Sequence, residues 1–69
     1  MDVRAELVGT VSKILVKAGD AVEEDQELII LESMKMEIPV VAPHAGTVDD
    51  VKVKENDVVA ESQVLVVLS

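Results

Sequence analysis

Residues 9–32, GTVSKILVKAGDAVEEDQELIILE, return 37 positions later as residues 46–69, GTVDDVKVKENDVVAESQVLVVLS. About half of the paired positions are identical, among them Gly9-Thr10-Val11 with Gly46-Thr47-Val48, Val16-Lys17 with Val53-Lys54, and Asp20 with Asp57. Extending the alignment pairs Met1 with Ile38 and Glu32 with Ser69, which divides the chain into halves 1–32 and 38–69 around a junction, residues 33–37. A repeat this short cannot close a core alone, so the halves are expected to pack on each other about an approximate twofold axis as one domain, 1–69.

Each half reads as short strands broken by turns. Gly19-Asp20 and Asn56-Asp57 occupy the same place in the repeat, and Gly and Asn are the residues that accept positive φ most readily. Asp25-Gln26 and Ser62-Gln63 mark a second turn. The runs ELIIL and QVLVVL are continuous and apolar, the pattern of strands covered on both faces. A helix over AVEEDQEL, residues 21–28, is the weaker alternative.

The composition narrows the chemistry. Without Phe, Tyr or Trp the core of this 69-residue chain must be aliphatic, and its excess of β-branched residues favours strands. No cysteine is present, which excludes disulfides and thiolate metal sites, and one histidine, His44, cannot build a zinc site alone. A net charge of −8 and the lack of aromatic stacking platforms argue against nucleic acid as a partner. The opening Met1-Asp2-Val3-Arg4 has no cationic and then apolar signal pattern, and no apolar run approaches a membrane span, so a soluble, monomeric domain in the cytoplasm is the expectation.

The junction, Ser33-Met34-Lys35-Met36-Glu37, sets Lys35 at its centre, the expected tip of a hairpin between the halves. None of the usual turn residues is there. Such a local conflict with the fold is expected at a functional site. Exposed methionines give a partner an adaptable apolar surface, and the lysine offers one amine. A lysine amine is almost wholly protonated at pH 7, so catalysis by Lys35 unaided is not expected and another protein's site must remove the proton. Modification of Lys35 follows as the reading.

The longer stretch LESMKMEIPVVAPHAGTV, residues 31–48, resembles the biotinyl domain of the biotin/lipoyl-attachment family, and the repeated pattern extends that resemblance over essentially the whole chain. The resemblance implies an all-β fold, a flattened eight-stranded barrel of two four-stranded antiparallel sheets with the lysine on an exposed hairpin. It implies that biotin protein ligase joins biotin to Lys35 from a biotinyl-adenylate, with Met34 and Met36 as flanking recognition residues and Glu32 and Glu37 offering contacts to the ligase. The resulting arm carries a carboxyl group between biotin carboxylase and carboxyltransferase sites, and the carrier itself is not an enzyme.

The rival within the family is a lipoyl carrier of a dehydrogenase complex or glycine-cleavage system, bearing lipoate. Lipoyl domains usually have Asp-Lys-Ala or a relative where this chain has Met34-Lys35-Met36. An unmodified structural barrel is the third reading. Many family members have Gly where this chain has Asp25 and Ser62, and a second Gly-Asp where it has Asn56-Asp57, which bears on turn geometry only. The first half has no room for the protruding loop of one bacterial type of biotin carrier.

His44 follows Pro43 near a turn with no acidic or nucleophilic neighbour in sequence and reads as a solvated turn residue. Pro39 and Pro43 read as guards of a strand edge, and Gly46 as a sharp turn or close backbone approach. Val11, Val16, Val22, Leu28 and Ile30, with their second-half partners, are the expected core.

Overall fold

The computed structural model describes residues 1–69. Eight strands account for its regular structure: β1 (Asp2–Arg4), β2 (Gly9–Ile14), β3 (Ala21–Val22), β4 (Glu27–Ser33), β5 (Met36–Val41), β6 (Gly46–Val51), β7 (Val58–Val59) and β8 (Val64–Leu68). They form two four-stranded antiparallel sheets, ordered β1-β8-β6-β3 (sheet one) and β5-β4-β2-β7 (sheet two). This is the expected all-β architecture. Exchanging each strand for the one four places on in the chain turns one order into the other.

The hydrogen bonds follow the 37-residue offset. Gly19 N–H donates to the Val48 carbonyl and Asn56 N–H to the Val11 carbonyl, both at 2.8 Å; Val48 N–H returns to Asp20, and Val11 N–H to Asp57. Each half thus lends its first turn to the other half's second strand, β6 or β2. Within the turns, Lys17 N–H donates to Asp20 Oδ2 and Lys54 N–H to Asp57 Oδ2, both at 2.9 Å. These side-chain bonds mimic a backbone turn, which is why Asp recurs there.

The second turns match in the same way. Glu23 N–H and Ala60 N–H donate to Gln26 Oε1 and Gln63 Oε1, both at 3.0 Å, and the repeated glutamines are thereby explained. Asp25 (φ 68°) and Ser62 (φ 71°) take the left-handed conformation that Gly would accept at no steric cost. The same local bonds overturn the helical alternative for residues 21–28: Ala21–Val22 and Glu27–Leu28 are strand, and between them the chain turns sharply at Asp25, whose N–H donates to the Ala42 carbonyl.

Fifteen apolar residues form the core, and fourteen of them are seven repeat pairs: Ala5/Ala42, Val11/Val48, Val16/Val53, Val22/Val59, Leu28/Leu65, Ile29/Val66 and Leu31/Leu68, with Val3 as the fifteenth. Ile30 and its partner Val67 are half-exposed, against the expectation that the apolar runs are covered on both faces. The cause is a bulge. The register of β4 against β5 shifts between Glu27 and Ile29, leaving Leu28 as an extra residue, and β8 shifts against β1 in the same way around Leu65. An extra residue resets the alternation of side chains, so Leu28 and Ile29 both point inward and Ile30 outward.

Gly9 and Gly46 are close-approach positions. A Cβ built on Gly9 would lie 2.9 Å from the Glu32 carbonyl oxygen, and one on Gly46 2.7 Å from that of Ser69. In sheet two this contact fixes the start of β2 against the end of β4, where the chain enters the hairpin.

Candidate modification site

Strands β4 and β5 make a two-residue hairpin: Ser33 pairs with Met36, and Met34-Lys35 is the whole loop. The turn is tighter than the junction 33–37, because Ser33 and Glu37 belong to the strands. Both loop residues have positive φ, Met34 at 52° and Lys35 at 65°. Positive φ at both central positions is the signature of a type I′ turn, whose twist matches that of the flanking strands. Asn or Gly would ordinarily stand there. For an ordinary L-residue the left-handed region costs roughly 1–2 kcal/mol, so the long strands on either side hold this loop against its local preference.

The geometry lifts the lysine clear of the domain. Lys35 is exposed and takes part in neither of the molecule's two ion pairs, Arg4–Asp2 and Lys52–Asp50. Met34 is 92% exposed and Met36 63%, which places both apolar side chains in solvent beside the amine instead of in the core. Below the tip, Glu32 and Glu37 pair across the strands. Glu37 Oε2 accepts a long hydrogen bond of 3.5 Å from Ser12 Oγ, and Thr10 stands on the other side of Glu32. Sequence reading missed Ser12 and Thr10; only the register of β2 on β4 brings them to the acidic pair.

A groove of about 610 Å³ opens between the edge strands β1 and β5, lined among others by Val3, Leu7, Leu31, Pro39, Pro43 and Ser62. The tip residues 33–37 lie outside it. His44 is half-buried, and its Nδ1 donates to the Ala45 carbonyl at 2.7 Å. Pro39 lies in the edge strand β5, where a missing N–H costs the sheet no bond on its open side. The shifted titrations lie on sheet one: a hydrogen bond and the charge of Lys52 hold Asp50 below its ordinary range, and Asp50 raises Lys52 in return.

Known proteins resemble this chain in sequence and in fold. The family model described as biotin-requiring enzyme matches residues 1–68. The biotin/lipoyl attachment protein of Bacillus subtilis is 57% identical over 42 residues, which cover 61% of this chain and 58% of that protein. A biotinylated protein TB7.3 homolog from Mycolicibacterium smegmatis is 56% identical over 41 residues, 59% of this chain and 58% of that one. The matched stretch thus spans about 58% of the length of these curated relatives.

Among solved structures, the Kluyveromyces lactis urea carboxylase superposes with a TM-score of 0.94 at 30% identity, covering all of this chain and 6% of that one. The lipoyl domain of the 2-oxoglutarate dehydrogenase complex from Azotobacter vinelandii superposes with a TM-score of 0.76 at 29% identity, covering 90% of this chain and 78% of that one. With the two-sheet sandwich, the lysine-tipped hairpin and the family model over residues 1–68, the chain belongs to the biotin/lipoyl-attachment family of biotin-requiring enzymes.

Proposed function

We propose that this domain is a biotin carboxyl carrier module and that Lys35 is its attachment point. One observation carries the reading: the amine stands at the outermost turn of the fold, free of ion pairs, between two methionines exposed to solvent. Core methionines would have pointed inward. Relatives named as biotinylated proteins, and the higher superposition on a carboxylase than on a lipoyl domain, favour biotin over lipoate.

The residues present fit such a group. Acylation needs an amine that can enter another protein's active site, and a two-residue turn with an unbonded side chain supplies it. In the transfer Lys35 gives up its ammonium proton to the ligase site and attacks an activated acyl carbonyl. The C–N bond of an amide forms, the nitrogen gives a second proton to the ligase site, the bond from the acyl carbon to the adenylate oxygen breaks, and AMP leaves with that electron pair. The amide removes the lysine's charge and lengthens the arm. Once attached, biotin supplies a site that holds a carboxyl group for transfer. The chain's own contribution is to keep that group tethered at high effective concentration near the biotin carboxylase and carboxyltransferase sites it visits. Met34 and Met36 supply the apolar contacts by which biotin protein ligase reads the tip, and Glu32 and Glu37 supply acidic ones.

Intact mass after coexpression with biotin protein ligase, with fragmentation to locate the adduct, tests the reading. A single biotinyl group on Lys35, absent from a folded Lys35→Ala variant, is the expected result. A lipoyl group on Lys35 would transfer the function to the lipoyl alternative. A bare Lys35, or biotin carried on Lys13, Lys17, Lys52 or Lys54, would overturn the assignment.

A further inference from the structure

The two sheets agree in backbone and differ in surface. Apart from Met1 and the tip methionines, the exposed large hydrophobic residues are Val8, Leu15, Val41 and Val58. All four belong to sheet two: Val41 and Val58 are in β5 and β7, and Val8 and Leu15 flank β2. Their counterparts 37 positions away, around sheet one, are Ala45, Lys52, Arg4 and Ala21. Where sheet one is small or charged, sheet two is apolar.

On the strands of sheet one every charged side chain but that of Asp49 is in an ion pair. Arg4 pairs with Asp2 at 3.4 Å and donates to the Ser62 carbonyl at 2.8 Å, and Lys52 pairs with Asp50 at 2.9 Å. Sheet two shows the reverse. From the lysine tip its outer face descends through the row Glu37, Glu32, Thr10, Val58 to the row Pro39, Ile30, Lys13, and then to Val41 opposite Glu27, with Leu15 beyond the end of β2. Its three carboxylates have no ion pair. The repeat provides an internal control, since the same backbone accepts charged residues at the equivalent places around sheet one and sheet two does not use them.

We propose that the outer face of sheet two is a docking surface for the enzyme that acylates Lys35, covered by a protein surface with an apolar centre and a basic rim. The inference rests on the carrier reading above. Continuity with the tip names this occupant, because a body that accepts the Lys35 amine lies against the rows leading down from it. Charge names its chemistry: Glu27, Glu32 and Glu37 outnumber Lys13 on this face of a chain with a net charge of −8. Two copies of the face would bring like charges together.

The test exchanges the faces. A variant carrying Leu15→Lys, Val41→Arg and Val58→Ala places sheet one's residues on sheet two, at positions where the repeated backbone already accommodates them; the converse variant carries Arg4→Val and Lys52→Leu. Initial rates of biotin transfer are measured with purified biotin protein ligase, biotin and ATP, alongside thermal unfolding of each variant and of the single substitutions. The expected result is a KM raised about tenfold or more in the first variant with kcat little changed, lost rim contacts acting on encounter more than on chemistry, and a parental KM in the converse one. A parental KM in the first variant, or equal losses in both, would overturn the docking face while leaving the carrier reading intact. So would a parent dimer in sedimentation that the first variant dissolves, since the face would then belong to a second copy. A parent chain that accepts no biotin would remove both.

Discussion

Glu32 and Glu37 stand directly opposite one another on β4 and β5, beside the hairpin tip, and neither is in an ion pair. Like charges facing across strands oppose sheet formation. Glu32→Gln is therefore expected to stabilise the domain by roughly 0.2–0.5 kcal/mol while slowing biotin transfer. Urea unfolding at low salt and at about 1 M salt checks the cause, since the gain shrinks as ions screen the pair. A stabilised variant acylated at the parental rate would remove the glutamate from ligase recognition.

Met34 holds φ 52° with a long side chain that meets only solvent. Asn accepts this region more readily, so Met34→Asn is expected to raise stability by about 0.5–1 kcal/mol and to reduce acylation of Lys35. Thermal unfolding and transfer rates, measured together, separate the two effects. If the substitution lowered stability and left the rate alone, Met34 would be a packing residue.

Leu28 and Leu65 are fully buried repeat partners, whereas Ile30 and Val67 face outward and are half-exposed. Leu28→Ala and Leu65→Ala are each expected to cost about 2–5 kcal/mol, enough to unfold much of a domain this small. Ile30→Val and Val67→Ala are expected to cost well under half as much. Denaturant midpoints across the four variants test the inward and outward assignment made by the bulges.

Asp50 and Lys52 are exposed on sheet one, Asp50 lowered from its ordinary 3.8 and Lys52 raised from its ordinary 10.5 by their mutual hydrogen bond and charge. The lowered acid contributes stability above its unfolded value that disappears as pH falls through the folded one. The raised base contributes below its unfolded value and loses its contribution as pH rises through the folded one. Lys52→Met is therefore expected to lie below the parent in stability between those limits and to converge with it in strong acid. Unfolding at pH 7 and pH 2 shows the convergence, and about 1 M salt at pH 7 reduces the gap.

Much of this molecule is legible in its sequence. The 37-residue repeat required two equivalent sets of strands, and Gly19, Asn56 and the recurring Asp and Gln residues marked the turns that the structure builds with matching bonds. Lys35 at the join of the repeats was already the expected hairpin tip. Local chemistry and internal symmetry are written in residue order, and a chain without cysteine or aromatic residues leaves few other ways to close a core.

Tertiary structure decided the rest. ELIIL does not disclose that Leu28 is an extra residue in the ladder, and without that bulge Ile30 would be assigned to the core in place of Ile29 and Leu31. Nor does SMKME disclose that Met34 and Lys35 are both held in the left-handed region, or that Glu32 faces Glu37 with Thr10 and Ser12 alongside. Register, bulge position and tolerated turn strain belong to pairs of strands, because each is fixed by ladder bonds and burial that form only when distant segments meet. The sequence determined which residues could form the platform and its tip; the meeting of the strands decided which way each one points.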